Sequence, residues 1–215
     1  MKNLCFLILF ILFSLSAFSQ VRVGIRVGVH WSTVLNEKLY TGRQLAPGGL
    51  VAIPFQLPLS DRWGLRAEPT FVQKGWKTRI KIVNANGVSS ETGHLVQRHE
   101  VIELPVLVTY RKELSSRLAV FGLLGPSVGY VVGGRLKVIS KNAPDVNDKL
   151  IFERRIDTGL WAGGGLEFPV AGIPAFVDVR YHYGLSAYPN FKVYDTKPTS
   201  TGFSVSVGCW PFAGK

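Results

Sequence analysis

His30 and Ser32 stand one residue apart, so an extended chain puts both on the same face. An imidazole beside a hydroxyl is the core of a nucleophilic hydrolase when a carboxylate orients the ring, and Glu37 lies close by in sequence. To act on a lipid, such a group would have to be reachable by an acyl chain. A His-x-Ser triplet is also common by chance. A lipid-modifying hydrolase built on His30 and Ser32 therefore stands as the alternative to a non-enzymatic protein. The remaining histidines, His94, His99 and His182, lie apart without a cysteine partner, so no metal or cofactor is expected. His94 and His99 read as solvated residues flanking a strand start. Gly163, Gly164 and Gly165 precede no helix, which argues against a phosphate cradle and for close packing beside Trp161.

The charged residues recur at every second position. From Val21 to Trp31, Val21, Val23, Ile25, Val27, Val29 and Trp31 share one strand face, and Arg22, Arg26 and His30 share the other with two glycines. Between Trp63 and Phe71 the apolar set Trp63, Leu65, Ala67, Pro69 and Phe71 opposes Arg66, Glu68 and Thr70. Two arginines pointing into a soluble core are prohibitive without partners, and six apolar residues pointing into water would aggregate. A wall with lipid outside and a small polar lumen inside removes both difficulties. The same parity turns Glu103, Asp157, Glu167, Asp178, Arg180 and His182 inward. Arg22, Arg26, Arg66 and Arg180 then face Glu68, Glu103, Asp157, Glu167 and Asp178. That near-neutral set reads as a paired structural plug rather than a conducting path, because stranding one partner costs about 3–5 kcal/mol.

These residues require eight strands to hold them: Val21–Trp31, Gly49–Leu59, the stretch opening at Trp63, Val101–Tyr110, Leu118–Val132, Ile156–Phe168, Ala175–Tyr183 and Gly202–Phe212. In the fifth, Gly125, Ser127 and Gly129 form the inward set. Pro54 and Pro58 weaken the second, since proline cannot feed a ladder. The connections run long, short, long, short, long, short, long. That rhythm predicts an all-β, eight-stranded antiparallel up-and-down transmembrane β-barrel with short periplasmic turns and long external loops. A soluble lipocalin-like barrel would carry the opposite phase. Ser204, Ser206 and Gly208 are small where the last strand must meet the first, leaving room for Arg22 and Arg26.

Residues 1–19 carry Lys2, an apolar run and Ala17-Phe18-Ser19, the pattern of a cleaved signal peptide, leaving residues 20–215 as the barrel domain. An exported chain with a leader of this kind is expected in the cell outer membrane. Cys209 is then the only cysteine of the mature chain. The formal net charge of +11 falls to +10 when Lys2 leaves. Export argues against nucleic acid as a partner, although basic composition alone would suggest it. With a neutral lumen, the surplus falls to the loops: Lys77, Arg79, Lys81, Arg135, Lys137, Lys141, Lys149, Arg154 and Arg155. Outer-membrane lipid and the phosphates of lipopolysaccharide are the expected counter-charges for a monomer, besides an unidentified envelope protein.

Several runs also carry a family resemblance. Pro58-Leu59-Ser60-Asp61-Arg62-Trp63 with Glu68-Pro69 and Gln73-Lys74-Gly75 is similar to the PorT-like outer-membrane β-barrel proteins of Bacteroidota. Ile102-Glu103-Leu104-Pro105, Gly125-Pro126-Ser127-Val128-Gly129-Tyr130, Asp157 through Glu167-Phe168, and Arg180-Tyr181-His182-Tyr183-Gly184-Leu185 extend the likeness along the mature chain. The resemblance implies the same fold and, through one founding member, a link to protein secretion or envelope assembly. It implies no catalytic residue. Ala213-Gly214-Lys215 departs from the pattern by extending beyond the terminal aromatic Phe212.

Overall fold

The computed structural model describes residues 21–35, 44–83, 89–139, 146–152, 155–187 and 199–212. The expected signal peptide, Glu37, Lys141 and Arg154 lie outside the described residues. Period-two patterning becomes strand throughout. The elements are β1 (Arg22–Leu35), β2 (Gln44–Ala52), β3 (Phe55–Pro58), β4 (Trp63–Ala67), β5 (Thr70–Val83), β6 (Ser89–Ser115), β7 (Leu118–Ile139), β8 (Val146–Lys149), β9 (Ile156–Val170), β10 (Ile173–Gly184) and β11 (Thr199–Phe212). Neighbouring strands pair antiparallel, and β1 closes the ring by pairing with β11 on one side and with β2 and β3 on the other. The ring has eight walls: β2 with β3 form one, β4 with β5 another, and β8 is an extension paired, among the described residues, to β7 alone.

Two expected strands are interrupted, and proline is the reason. Pro54 and Pro69 have no N–H to give the ladder, so the second wall breaks after Ala52 and the third after Ala67. Their carbonyls still accept, Pro54 from Gly24 N at 2.9 Å and Pro69 from Ile53 N at 3.0 Å, and Pro105 accepts from Glu68 N at 3.1 Å. The wall stays closed across the breaks. Three short connections lie at one end, and the turn at Ala171-Gly172 has φ of 50° and 83°. Positive φ at both central residues is what a two-residue hairpin matching strand twist requires. At the other end the strands run further than the sequence indicated. β6 spans 27 residues and β7 22, whereas about 9–11 residues suffice to cross a bilayer.

The outward face is apolar, with Ile25 53%, Leu124 60% and Val207 55% exposed, while Glu68 and His30 inside are 0% exposed. Gly125, Ser127, Gly129 and Trp161 face inward as expected. An aromatic group of Phe121, Phe176, Trp210 and Trp161 with Leu107 and Leu123 packs inside. Nearer the long-loop end, Leu50, Val72, Val101, Val131 and Phe152 form a second, mainly aliphatic group. The charged residues sit among these two.

Candidate functional site

Glu68 is the hub of the lumen. Arg180 clamps it with two parallel bonds, Nη1 to Oε2 at 2.6 Å and Nη2 to Oε1 at 3.0 Å. Arg26 Nη1 reaches Oε2 at 3.1 Å, and Arg66 Nη1 lies 3.6 Å from Oε1. Asp178 takes the other side of Arg180, from Nη2 at 2.6 Å and Nε at 3.1 Å. Ser206 accepts from Arg26 Nε at 2.7 Å and donates to Asp178. Of the room expected beside the small last strand, Ser206 provides that for Arg26, whereas Gly208 makes way for Phe176, whose Cζ a Cβ there would meet at 2.3 Å, and not for Arg22. Gly28 faces Ser206 so closely that a Cβ there would lie 2.5 Å from the Ser206 Cβ. Gly163 makes room for Arg180 rather than for Trp161, since its Cβ would meet Arg180 Cγ at 2.9 Å.

A second group gathers around Lys74, a residue absent from the sequence-based lumen set. Its Nζ donates to Glu103 Oε2 at 2.7 Å and Asp157 Oδ2 at 2.9 Å, and lies 3.2 Å from His182 Nε2. Ser186 Oγ donates to the second Asp157 oxygen at 2.9 Å. Continuing the parity of Arg66, Glu68 and Thr70 through Val72 reaches Lys74, so the signal was in the pattern. With Lys74 counted, five cations face five carboxylates and the lumen is balanced. His99 also differs from expectation. It is 1% exposed inside β6, and His94 belongs to the same strand rather than to a loop.

At the short-turn end Glu167 collects three donors: Arg22 Nη2 at 3.2 Å, Arg111 Nε at 3.3 Å and Trp210 Nε1 at 3.2 Å. Arg22 also lies over the Trp210 ring, 4.8 Å from its centroid. All ten lumen residues named from the sequence thus face inward, in three connected groups.

His30 and Ser32 face the lumen, not lipid. His30 packs 5.5 Å from the Trp161 ring and 6.1 Å from His182, and neither of its ring nitrogens has a hydrogen-bond partner. The Ser32 hydroxyl is committed to Gly75, donating to its carbonyl at 3.0 Å and accepting from its N–H at 2.7 Å. Imidazole and hydroxyl therefore form no nucleophile–base pair, and an acyl chain outside the wall has no access to either. Among the described residues no group of three His, Cys, Asp or Glu could hold a metal ion.

The basic residues assigned to loops lie mostly on strands. Lys77, Arg79 and Lys81 are on β5, Arg135 and Lys137 on β7, and Lys149 on β8; Arg155 just precedes β9 and its Nη1 donates to Val131 O at 3.3 Å. Loop composition hid the strands because Lys and Arg are unfavourable only on faces that pack, and these face out. Between Glu100/Val101 of β6 and Val131/Gly133 of β7 the register slips by one residue. A bulge of this kind re-aims every side chain beyond it. Here it turns Arg135 and Lys137 from the lumen to the outside.

Arg98, also missed, stands directly opposite Arg135, which stands opposite Lys149. The next outward row is Lys77, Val96, Lys137. Below them lie Gln73 and Glu100, then Phe71, Ile102 and Tyr130 of the apolar belt. A cavity of about 370 Å³ opens here between Gln73, Arg98, Glu100, Arg135, Lys137 and Ile139.

The model of the outer membrane protein beta-barrel domain matches residues 15–188 of the sequence. No curated protein matches it. Among solved structures the chain is similar to Ail, the attachment invasion locus protein of Yersinia pestis, in complex with the heparin analogue sucrose octasulfate. That match has 16% identity, covers 88% of this chain and 98% of the other, and has a TM-score of 0.42. Neisserial surface protein A is similar at 14% identity over 87% of this chain and 96% of its own, with a TM-score of 0.45. OprG from Pseudomonas aeruginosa is similar at 10% identity over 88% and 93%, with a TM-score of 0.38. Identities this low carry no functional information.

Proposed function

We propose a function from one established premise: this chain belongs to the outer membrane protein beta-barrel domain family. It acts as a non-enzymatic, plugged barrel whose tall outer hairpins hold anionic lipid and present a surface to an envelope partner. Export by a cleaved leader delivers it to the outer membrane as a monomer, with no cofactor and no nucleic acid in its work. The resemblance of its motifs to those of PorT-like barrels of Bacteroidota favours a place in secretion or envelope assembly.

The observation that carries the lipid contact is the outward row Arg98, Arg135, Lys149. Like charges directly opposite on one sheet face repel, and neither arginine has an ion-pair partner among the described residues. An anion between them removes the penalty. Arg98 lies four residues beyond Ile102 of the belt, about 13 Å along the strand, which is headgroup height. Lipopolysaccharide phosphates in the outer leaflet have the charge and the level required.

The test is binding of the folded barrel to lipopolysaccharide micelles at low and high salt. The comparison protein has Lys77, Arg79, Arg98, Arg135, Lys137 and Lys149 changed to Gln. Binding by the wild type should fall steeply as salt shortens the screening length below about 8 Å, and the altered protein should bind weakly at both. Equal binding by the two proteins would remove the reading.

A further inference from the structure

The opposite, short-turn end holds a cavity of about 440 Å³ that borders the plug, three of whose residues line it, and is remote from the outer rim. Four guanidiniums line it, Arg22, Arg62, Arg66 and Arg111, against the two carboxylates of Asp61 and Glu167. The lining holds two more guanidiniums than carboxylates, although one of the four, Arg66, also lies 3.6 Å from Glu68 of the hub. Arg22 and Arg111 are occupied by Glu167. The other two are not.

Arg66 is 3% exposed, and its Nε is fixed on Gln56 Oε1 at 2.6 Å. Gln56 is in turn held by Thr109 Oγ1 at 2.8 Å. The guanidinium lies 5.2 Å from the Phe121 ring centroid. Its Nη1 makes no hydrogen bond, the nearest carboxylate oxygen being 3.6 Å away on Glu68. Arg62, exposed on the turn at the mouth, has no ion-pair partner among the described residues. A guanidinium that lines the cavity, fixed by Gln56 and backed by an aromatic ring, with a second arginine free of ion pairs in the same lining, is suited to receive an oxyanion. The guanidinium fork matches carboxylate and phosphate alike. The volume falls in the range of small-molecule sites, which are mostly apolar with a few placed polar groups. Phe121, Leu59 and Trp63 supply the apolar wall.

We propose that this vestibule binds a small organic anion on the periplasmic side, its carboxylate or phosphate held by Arg62 and Arg66 and its apolar body against Phe121. The site is independent of the lipid contact at the outer rim, from which the whole height of the lumen separates it.

The test uses the folded mature barrel in a non-ionic maltoside micelle, titrated with phenylacetate, phenyl phosphate and inorganic phosphate. Backbone amide shifts of residues 56–66 and 109–111 are followed. At least one aromatic probe should shift these amides saturably, with affinity falling about tenfold between low and high salt. Which of the two binds more tightly identifies the headgroup. Inorganic phosphate should bind about tenfold more weakly than phenyl phosphate, for want of the apolar contact. Arg62→Gln leaves the buried network untouched and should weaken binding at least about fivefold. Arg66→Lys keeps the charge but loses the fork, and should weaken it similarly. Absence of saturable shifts with both aromatic probes, wild-type affinity in folded Arg62→Gln, or inorganic phosphate binding as tightly as phenyl phosphate would each overturn the proposal.

Discussion

Replacing Glu68 by Gln keeps the shape of the hub and removes its charge. In the native lumen Glu68 meets Arg180 through two bonds, Arg26 through one and Arg66 across 3.6 Å, and it is fully buried. After the change Asp178 alone must balance three buried guanidiniums, Arg26, Arg66 and Arg180. Leaving a buried charge uncompensated costs about 3–5 kcal/mol, which lowers the folding equilibrium by roughly two to four powers of ten. With a urea dependence of about 2 kcal/mol per molar, the unfolding midpoint should drop by about 2 M. The assay is urea unfolding of the barrel in lipid vesicles, read by the mobility difference between boiled and unboiled samples. Adding Arg26→Gln to Glu68→Gln should recover part of the loss, because it withdraws one surplus cation. Such non-additivity is expected of residues in one network. A midpoint within about 0.5 M of wild type, equivalent to about 1 kcal/mol, or a double variant less stable than the sum of the singles, would refute the view of Glu68 as hub.

Lys74→Met should strand Glu103 and Asp157 together and cost about 3–5 kcal/mol in the same assay; a loss under about 1 kcal/mol would mean those carboxylates find other partners. Gly125→Val drives a Cβ to 2.0 Å from the Val106 carbonyl oxygen, so the β6–β7 contact must open; refolding yield should collapse, and normal yield would show the wall is looser than drawn. Cys209 shares the outward face with Val205 and Val207. In vesicles it should react with a membrane-permeant thiol reagent and resist a charged impermeant one, and rapid labelling by the latter would place it elsewhere.

The parity of each wall was legible because a barrel is one strand thick: position 2n faces lipid or lumen with no third choice. Arg26, Glu68, Asp178 and Arg180 could be placed inside for that reason alone. Which acid each arginine meets was not legible, because residues from distant strands, such as Glu68 and Arg180, are brought together by ring closure and stagger. Lys74 was obscured because its inward neighbours Val72 and Trp76 are apolar, which blurred the contrast that marked the turn-ward half of the same wall. Arg135 and Lys137 needed the bulge. Read without it, the inward phase of Val131 puts both in the lumen, where the five cations and five carboxylates already balance.

That balance has a consequence for where the protein can meet other molecules. The ten charges of the lumen cancel, so the formal net charge, +11 with Lys2 and +10 without it, is carried by residues outside that set. At the outer end it is carried by Arg79, Lys81, Arg98, Arg135 and Lys137, all exposed beyond the apolar belt. At the short-turn end Arg62, Lys112 and Arg117 are exposed against Asp61 and Glu113. A barrel whose middle is neutral exerts no long-range field of its own through the bilayer. Screening over about 8 Å then isolates the two basic mouths from each other. Each end can bind an anion without reporting it to the other, so the outer lipid contact and the inner vestibule are separable by mutation: the six Gln changes at the rim should leave the shifts at residues 56–66 unaltered, and Arg62→Gln should leave lipopolysaccharide binding unaltered. Loss of both activities from either set of changes would mean the lumen network transmits strain between its ends, and the separation argued from charge would fail.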